Sequence, residues 1–413
     1  MKAQVATRGE DLLSGGDSLR SVPRWLDRVW AGSLSRLLDR VDAGLATGSV
    51  RVRLPDGSQR VLGGRAPGFD AEADLRNGRA LIRLATAGSV GCYQGYEAGE
   101  WTSPDPVALF ALFCANAASL GAVARARGPW RWIGRALHRL HRNSRAGSAR
   151  NIHAHYDLGN DFYAAWLDPA LVYSSARFDT DHQTLADAQQ AKLQSIAVRV
   201  AGAATVLEIG CGWGALSAHL RDAGMNVTAI SLSDEQLAWA RQHHPGIDFR
   251  KQDYRDTAGQ FDAIASVEMV EAVGQEYWDA FFECLARNLK PGGRAAIQYI
   301  AIREDVFPAY AKGADFIQAY IFPGGMLVSE AAFRRLAIEH GLDWHDPVHF
   351  ALDYAETLRL WRLAFDRAAA EGRLPQGFDD RFVRLWRFYL MYCEGGFRGG
   401  LINVTQVTLV KPD

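Results

Sequence analysis

The sequence predicts an α/β protein with a doubly wound, mostly parallel sheet, preceded by a smaller α+β domain. Three observations carry that class. From Thr205 onward, short apolar runs alternate with helix-patterned stretches, the strand–helix–strand rhythm of a parallel sheet. The first run breaks abruptly into glycines, "VLEIGCGWG" at 206–214, the form of a tight strand-to-helix turn. The first third lacks this rhythm and reads as a hairpin followed by helices. A chain of 413 residues is long enough for two domains.

Taken in order, "VRVRLPDGSQRVLGG" (50–64) alternates Val and Arg around a Pro-Asp-Gly turn and predicts a hairpin. "ALIRLA" (80–85) is expected as a third strand. "DPVALFALFCANAASLGAVARA" (105–126) predicts a helix with a strongly apolar face, capped by Asp105. "RGPWRWIGRALHRLHRNSRAGSAR" (127–150) starts as a basic amphipathic helix and ends in a Ser/Gly/Arg linker, so the domain boundary is placed near 145. The N-terminal domain is then 1–145 and the catalytic domain 146–413. Strands are expected at 205–210, 227–232, 247–252, 261–267 and 295–300, with helices between them such as "SDEQLAWARQHH" and "QEYWDAFFECLARNL". "KPGG" (290–293) reads as a turn ending a helix, and "NVTQVTLVKP" as a late edge strand.

Composition excludes some classes. With 48% hydrophobic and 23% charged residues the chain is globular rather than disordered or fibrous. The net charge of −1 carries no signal for nucleic acid, and no nucleic-acid partner is expected. Its distribution is informative, because residues 106–156 hold no Asp or Glu while Arg125, Arg127, Arg131, Arg135, Arg139, Arg142, Arg145 and Arg150 fall there. Such a block suits an anionic surface, and Trp130, Trp132, Ile133 and Leu137 interleave with it. A solvated face packed on the catalytic domain explains the same pattern. Five scattered cysteines without metal-ligand spacing point to a reduced, cytoplasmic protein and to no metal site. The N-terminus has no apolar secretion core, and no run approaches the roughly 20 apolar residues of a membrane span, so membrane contact would be peripheral, at the inner face.

In a doubly wound sheet, ligands bind where strand carboxyl ends turn into helices. Gly210, Gly212 and Gly214 let backbone amides approach such a ligand, although a tight turn without one reads the same way. "ISLSDEQ" ends the second strand with Ser231 and Gln236 as ribose-side candidates. "QDYRD" ends the third, where Asp253 would reach an adenine amino group and Tyr254 would cover its face, or pack in the core. "SVEMVEAVG" sets Glu268 and Glu271 just past the fourth strand, at a catalytic mouth or as solvated helix termini. Together these offsets favour S-adenosylmethionine.

Several long motifs in order, "NIHAHYDLGNDFYAAWLDPALVYSSARF", "GCGWG", "QDYRD", "YIFPGG" and "YLMYCEGGFRGG", resemble the cyclopropane fatty acid synthase family of S-adenosylmethionine-dependent methyltransferases. Over the first 145 residues the resemblance is weaker, carried by "SVGCYQGYEAGEWTSPD". It implies a Rossmann-like class I methyltransferase domain with a seven-stranded sheet. It also implies that Tyr173 and Ser174 close over the cofactor, with Gly210, Cys211, Gly212, Gln236 and Asp253 around it. The implied substrate is the cis double bond of an unsaturated phospholipid acyl chain, lying in an apolar slot near "YIFPGG". His153, His155, Tyr156 and Asp157 look like lid residues. The oligomeric state stays open, a homodimer included.

Methylating an alkene creates a carbocation, which calls for aromatic faces and a nearby carboxylate. Glu271 is the candidate carboxylate, and Tyr354, in "FALDYAETLRLW", its aromatic-polar partner. Loss of a proton from the transferred methyl closes a cyclopropane, whereas loss from a chain carbon leaves a methylated alkene. In cyclopropane-forming members the base resembles a bound bicarbonate, held by a cysteine, a Glu-His pair, a strand histidine and a tyrosine. This chain keeps Glu271 and Tyr354 but has Ser175 for the cysteine, Ala272 for one histidine and Gln298 for the other. Neutral replacements weaken anion binding, which puts bicarbonate and ring closure in doubt and leans the product towards a methyl-branched one. Glu268 is a compensating acid or a helix cap. A catalytically idle lipid- or cofactor-binding protein is the alternative, opposed by the intact glycine turn, Glu271 and Tyr354.

Overall fold

A computed structural model describes residues 8–14, 31–121, 158–180 and 182–413, which divide into two compact units. The first comprises Met1–Leu140, Asp305–Pro323 and Gln376–Ile402. Its hairpin forms as expected, β1 (Ser49–Arg53) against β2 (Gln59–Gly63), antiparallel. Gly57 takes the positive φ of the turn, 84°. The third strand is not "ALIRLA". It is β3 (Asp70–Leu75), whose Ala71, Ala73 and Leu75 alternate inward, giving the sheet order β2-β1-β3-β4 with β4 at Trp101–Thr102. "ALIRLA" lies instead in the helix Arg79–Glu97, where three consecutive residues, Ala80, Leu81 and Ile82, are buried. Ala, Leu and Arg are strong helix formers, and here propensity outweighs the short apolar run.

Asp105 caps the next helix, Pro106–Ala115, by accepting from the Ala108 amide at 3.1 Å. The expected long helix is interrupted at Asn116. That side chain accepts from the Ala46 and Thr47 amides, 2.8 and 3.0 Å, and donates to the Thr47 carbonyl. Such a residue competes with helical bonding by serving loop backbone. Two later segments join this unit, which a linear division at 145 does not anticipate. The helix Asp380–Arg398 packs on Pro106–Ala115, and a Cβ at Gly395 would meet the Val107 carbonyl at 3.0 Å. The "EGG" glycine therefore serves close helix approach. Tyr93 lies among Phe316, Tyr320 and Phe388, with ring centroids 4.7–5.2 Å away.

The second unit comprises His141–Glu304, Gly324–Pro375 and Asn403–Asp413. Its seven strands run β10-β11-β9-β8-β5-β6-β7: β5 Thr205–Ile209, β6 Asn226–Ser231, β7 Asp248–Lys251, β8 Phe261–Val267, β9 Leu289–Ile302, β10 Asp343–His349 and β11 Ile402–Val410. β5 pairs in parallel with both β6 and β8, and β8 with β9, the doubly wound arrangement predicted. The "KPGG" turn is absorbed into an irregular start of β9, where the register with β8 shifts. The closing strand is not at the edge. β11 lies between β9 and antiparallel β10, and residues 404–409 are all buried, the burial of an inner strand. The edge on that side is β10, "DWHDPVH", with polar residues and an internal proline. Leu193, Ile196, Val206, Leu216, Val227 and Leu237 belong to one core that holds the β5 end rigid.

Candidate active site

The turn leaving β5 has left-handed backbone at Gly210, Gly212 and Gly214, with φ of 82°, 51° and 87°. The Gly210 and Cys211 amides donate to the Ile230 carbonyl at 3.0 and 3.1 Å, tying the turn to β6. A Cβ at Gly210 would strike the Met269 side chain, and one at Gly214 would strike the Phe249 ring. At Gly212 nothing lies within 4 Å, so packing does not require glycine there and the backbone is open to a ligand. At the end of β6 the Ser231 hydroxyl donates to Gln236 at 3.4 Å, and Ser233 caps the helix Asp234–His243. After β7 both Asp253 oxygens are held by Arg255, at 2.9 and 2.5 Å, in a largely buried pair.

Tyr254 is turned inward, 5.8 Å from Phe281, with its phenol pushed up by burial. Of its two expected roles, this geometry favours core packing over covering an adenine face. The Arg255 guanidinium stands over Tyr277 at 5.1 Å. The open glycine turn, the Ser231–Gln236 pair and the Asp253 carboxylate follow the ends of three adjacent strands. That donor and acceptor set fits an adenosyl group.

Nearer the chemistry, the Tyr173 ring contacts Tyr163, Trp166 and Trp361, centroids 5.3–5.8 Å. Ser174 is buried, and its hydroxyl accepts from Lys192 Nζ at 2.8 Å. Ser175 does not aim its hydroxyl at a ligand; it donates to the Ala176 carbonyl at 2.8 Å. The Ser175 amide instead donates to Glu268 Oε1 at 2.9 Å.

Glu268 is the centre of this arrangement. Oε1 also accepts from Gln298 Nε2 at 2.9 Å, and Oε2 from the Tyr354 hydroxyl at 2.7 Å. Its backbone has φ of 53°, a left-handed conformation that costs a non-glycine residue about 1–2 kcal/mol. Burial pushes its carboxyl up, opposed by the three hydrogen bonds and by Lys192. Glu271, three residues on, differs. One oxygen accepts from the Ile300 amide, while Oε2 is buried without a partner. Burial first, and repulsion from Glu268 second, push its carboxyl up to about 8. A carboxyl held there carries its proton at pH 7, whereas the donors around Glu268 favour its charged form against burial. The two carboxyls thus differ in their partners: donors meet both oxygens of Glu268 and only one of Glu271.

Sequence reasoning missed Lys192, whose pKa burial pushes down to about 8 against the pull of Glu268, Asp168 and Glu208. Glu208, on β5, is pushed up to about 7 by burial although Ser217 donates to it. Gln189, one turn before Lys192, donates to the Ser174 carbonyl at 3.0 Å. Two long polar residues at i and i+3 beside Leu193 and Ile196 were the available signal in "AQQAKLQSI". Asn160 was missed as well; it accepts from the Trp213 indole at 2.8 Å and so braces the glycine turn. His153, His155, Tyr156, Asp157 and the basic segment 122–150 lie outside the described residues.

Residues 143–407 match the family described as mycolic acid cyclopropane synthetase. The tuberculostearic acid methyltransferase of Mycobacterium tuberculosis is 37% identical over 358 residues, 80% of each chain. The cyclopropane-fatty-acyl-phospholipid synthase of Escherichia coli is 33% identical, over 85% of this chain and 90% of its own. Among solved structures, a mycolic acid cyclopropane synthase complexed with SAH and CTAB superimposes with a TM-score of 0.59 at 29% identity. It covers 64% of this chain and 98% of its own.

Proposed function

The chain belongs to the mycolic acid cyclopropane synthetase family of S-adenosylmethionine-dependent methyltransferases, and from that premise we propose a specific reaction and product. It methylates the cis double bond of an unsaturated phospholipid acyl chain and releases a methyl-branched alkene, with Glu268 as proton acceptor. The observation that carries this reading is the convergence on one carboxylate. Ser175, Gln298 and Tyr354 stand at three positions that would surround bicarbonate in a ring-forming member, and all three hydrogen-bond to Glu268. A base built into the chain thus occupies the role of the diffusible one. Retention of a left-handed Glu where glycine would relax the backbone supports a functional demand on that side chain.

S-adenosylmethionine, when bound, supplies an electrophilic methyl group. The acyl π bond would attack that methyl as the sulfur–methyl bond breaks, so that one carbon–carbon bond forms, the neutral thioether S-adenosylhomocysteine leaves, and the positive charge passes to the neighbouring chain carbon. Tyr173, Trp361 and Tyr354 form a continuous series of ring contacts whose faces favour such a cation. Glu268 takes a proton from a chain carbon, the C–H pair restores a double bond, and charge is neutralised. The cofactor turn is held by Gly210–Gly214, Ser231, Gln236 and Asp253. Among the described residues no helix is long and apolar enough to cross a membrane. The acyl chain is then met at the cytoplasmic bilayer surface, through the basic aromatic segment.

The test is product structure. Protein, methyl-labelled S-adenosylmethionine and vesicles of cis-unsaturated phospholipid are incubated, and the fatty esters isolated. Proton NMR should show olefinic and branched-methyl signals. Predominant upfield cyclopropane protons would overturn the product assignment, and no labelled lipid at all would favour an idle binding protein.

A further inference from the structure

The Glu268 carboxylate is one end of a longer construction. Arg177 Nη1 donates to Ser195 Oγ at 2.7 Å, and Ser195 Oγ donates to Gln406 Oε1 at 2.6 Å. Gln406 Nε2 donates to Gln298 Oε1 at 3.0 Å, and Gln298 Nε2 donates to Glu268 at 2.9 Å. Four links join five residues and point the same way, from a cation to a carboxylate.

The two ends dictate that direction. A guanidinium only donates and an ionised carboxylate only accepts, whereas a hydroxyl and a carboxamide do both. With Glu268 accepting at one end, turning either amide by itself would leave two donors or two acceptors face to face. Gln298 and Gln406 are both fully buried, so no solvent compensates such a fault. The Gln298 amide is therefore held with its NH2 towards Glu268. A proton on Oε1 of Glu268 would meet that NH2 and the Ser175 amide, both donors. On this side the carboxyl is locked as an acceptor.

We infer that Arg177, Ser195 and Gln406 are positioning residues for Glu268, orienting Gln298 so that the carboxylate stays ionised and ready to receive a proton. The inference rests on the reading of Glu268 as proton acceptor. None of the three residues need touch substrate; they act through Gln298. Other charged groups face the two ends: Lys192, Glu271 and Tyr354 beside Glu268, and Asp353 and Arg199 beside Arg177. Each is unchanged in the variants below, so differences between variants report the string itself.

The experiment is the pH profile of kcat from pH 5.5 to 9, with saturating S-adenosylmethionine and vesicles of dioleoyl phosphatidylglycerol. Wild type, Ser195→Ala, Gln406→Leu and Glu268→Gln are compared, with folding checked by circular dichroism. Loss of one supporting hydrogen bond should move the acid limb of Ser195→Ala upward by about half a pH unit, a loss that grows to about threefold well down that limb. Gln406→Leu, which leaves the Gln298 carbonyl without a donor, should move it about twice as far. At pH 9 the Ser195→Ala rate should return towards wild type, which a merely structural loss would not do. An unmoved acid limb in Ser195→Ala, with Glu268→Gln inactive, overturns the positioning role and leaves the acceptor intact. Wild-type turnover in Glu268→Gln overturns the acceptor reading itself. Should Gln406→Leu fail to fold, Ser195→Ala alone decides, since it removes only a hydroxyl.

Discussion

Replacing Glu271 with Gln should make the protein less sensitive to alkali, and the size of the effect follows from the site. In the folded chain the carboxyl is held near 8, by burial first and Glu268 second, against an ordinary value of 4.5. Its folded pKa is thus raised, so between those values the folded chain keeps a proton that the unfolded chain has released. Stability falls as pH rises from about 4.5 and stops falling above about 8. At about 1.4 kcal/mol per pH unit, the contribution lost is about 3 kcal/mol by pH 7 and about 5 kcal/mol by pH 9. Gln keeps the oxygen that accepts from the Ile300 amide and does not ionise. Its NH2 inherits the partnerless place of Oε2, at a cost of about 1 kcal/mol at every pH. The variant should therefore be slightly weaker than wild type at pH 4.5 and stronger by a few kcal/mol at pH 9. Urea denaturation at pH 4.5, 7 and 9, read as midpoint at constant m, measures this. Glu208 and Lys192 titrate in both proteins and cancel in the difference. Parallel pH curves for the two proteins would show that Glu271 is already ionised in the native site and would refute the division of roles.

Glu268→Gly should relax a φ of 53° yet lower turnover by about a hundredfold or more, because a proton acceptor is lost. Added bicarbonate should restore part of it and move the product towards cyclopropane, read by NMR; no response would argue against a base at this point. Lys192→Met removes the buried cation beside Glu208 and Asp168, and should cost about 3 kcal/mol in urea unfolding at pH 7. Gly212→Val has open space around it but a φ of 51°, so the protein should fold while calorimetry finds S-adenosylmethionine affinity lost. Retained affinity would move the cofactor site elsewhere. Replacing Arg135, Arg139 and Arg142 with Gln should weaken sedimentation with anionic vesicles at low salt, at about 1 kcal/mol per arginine; salt-independent, unchanged binding would remove this segment as the docking surface.

Local patterns in the sequence were enough for what depends on local physics. Alternating apolar runs and helical stretches specify β5 to β9, and Asp105 caps the helix its position suggests. The glycine turn was legible because few residues other than glycine accept three left-handed positions in five. Short ambiguous runs were decided by neighbours. "ALIRLA" became helix once "DAEADL" supplied the alternating face, and "NVTQVTLVKP" became an inner strand because β10 pairs outside it. How the candidate site residues meet was decided only by tertiary structure. Residues 175, 268, 298, 354 and 406 are far apart in sequence, and no spacing rule links them. Whether two neighbouring glutamates are ionised depends on what surrounds each: three donors for Glu268, one amide and an unpartnered oxygen for Glu271. Carboxyl identity is written in the chain, but its charge is set by burial and by the donors that folding brings to it.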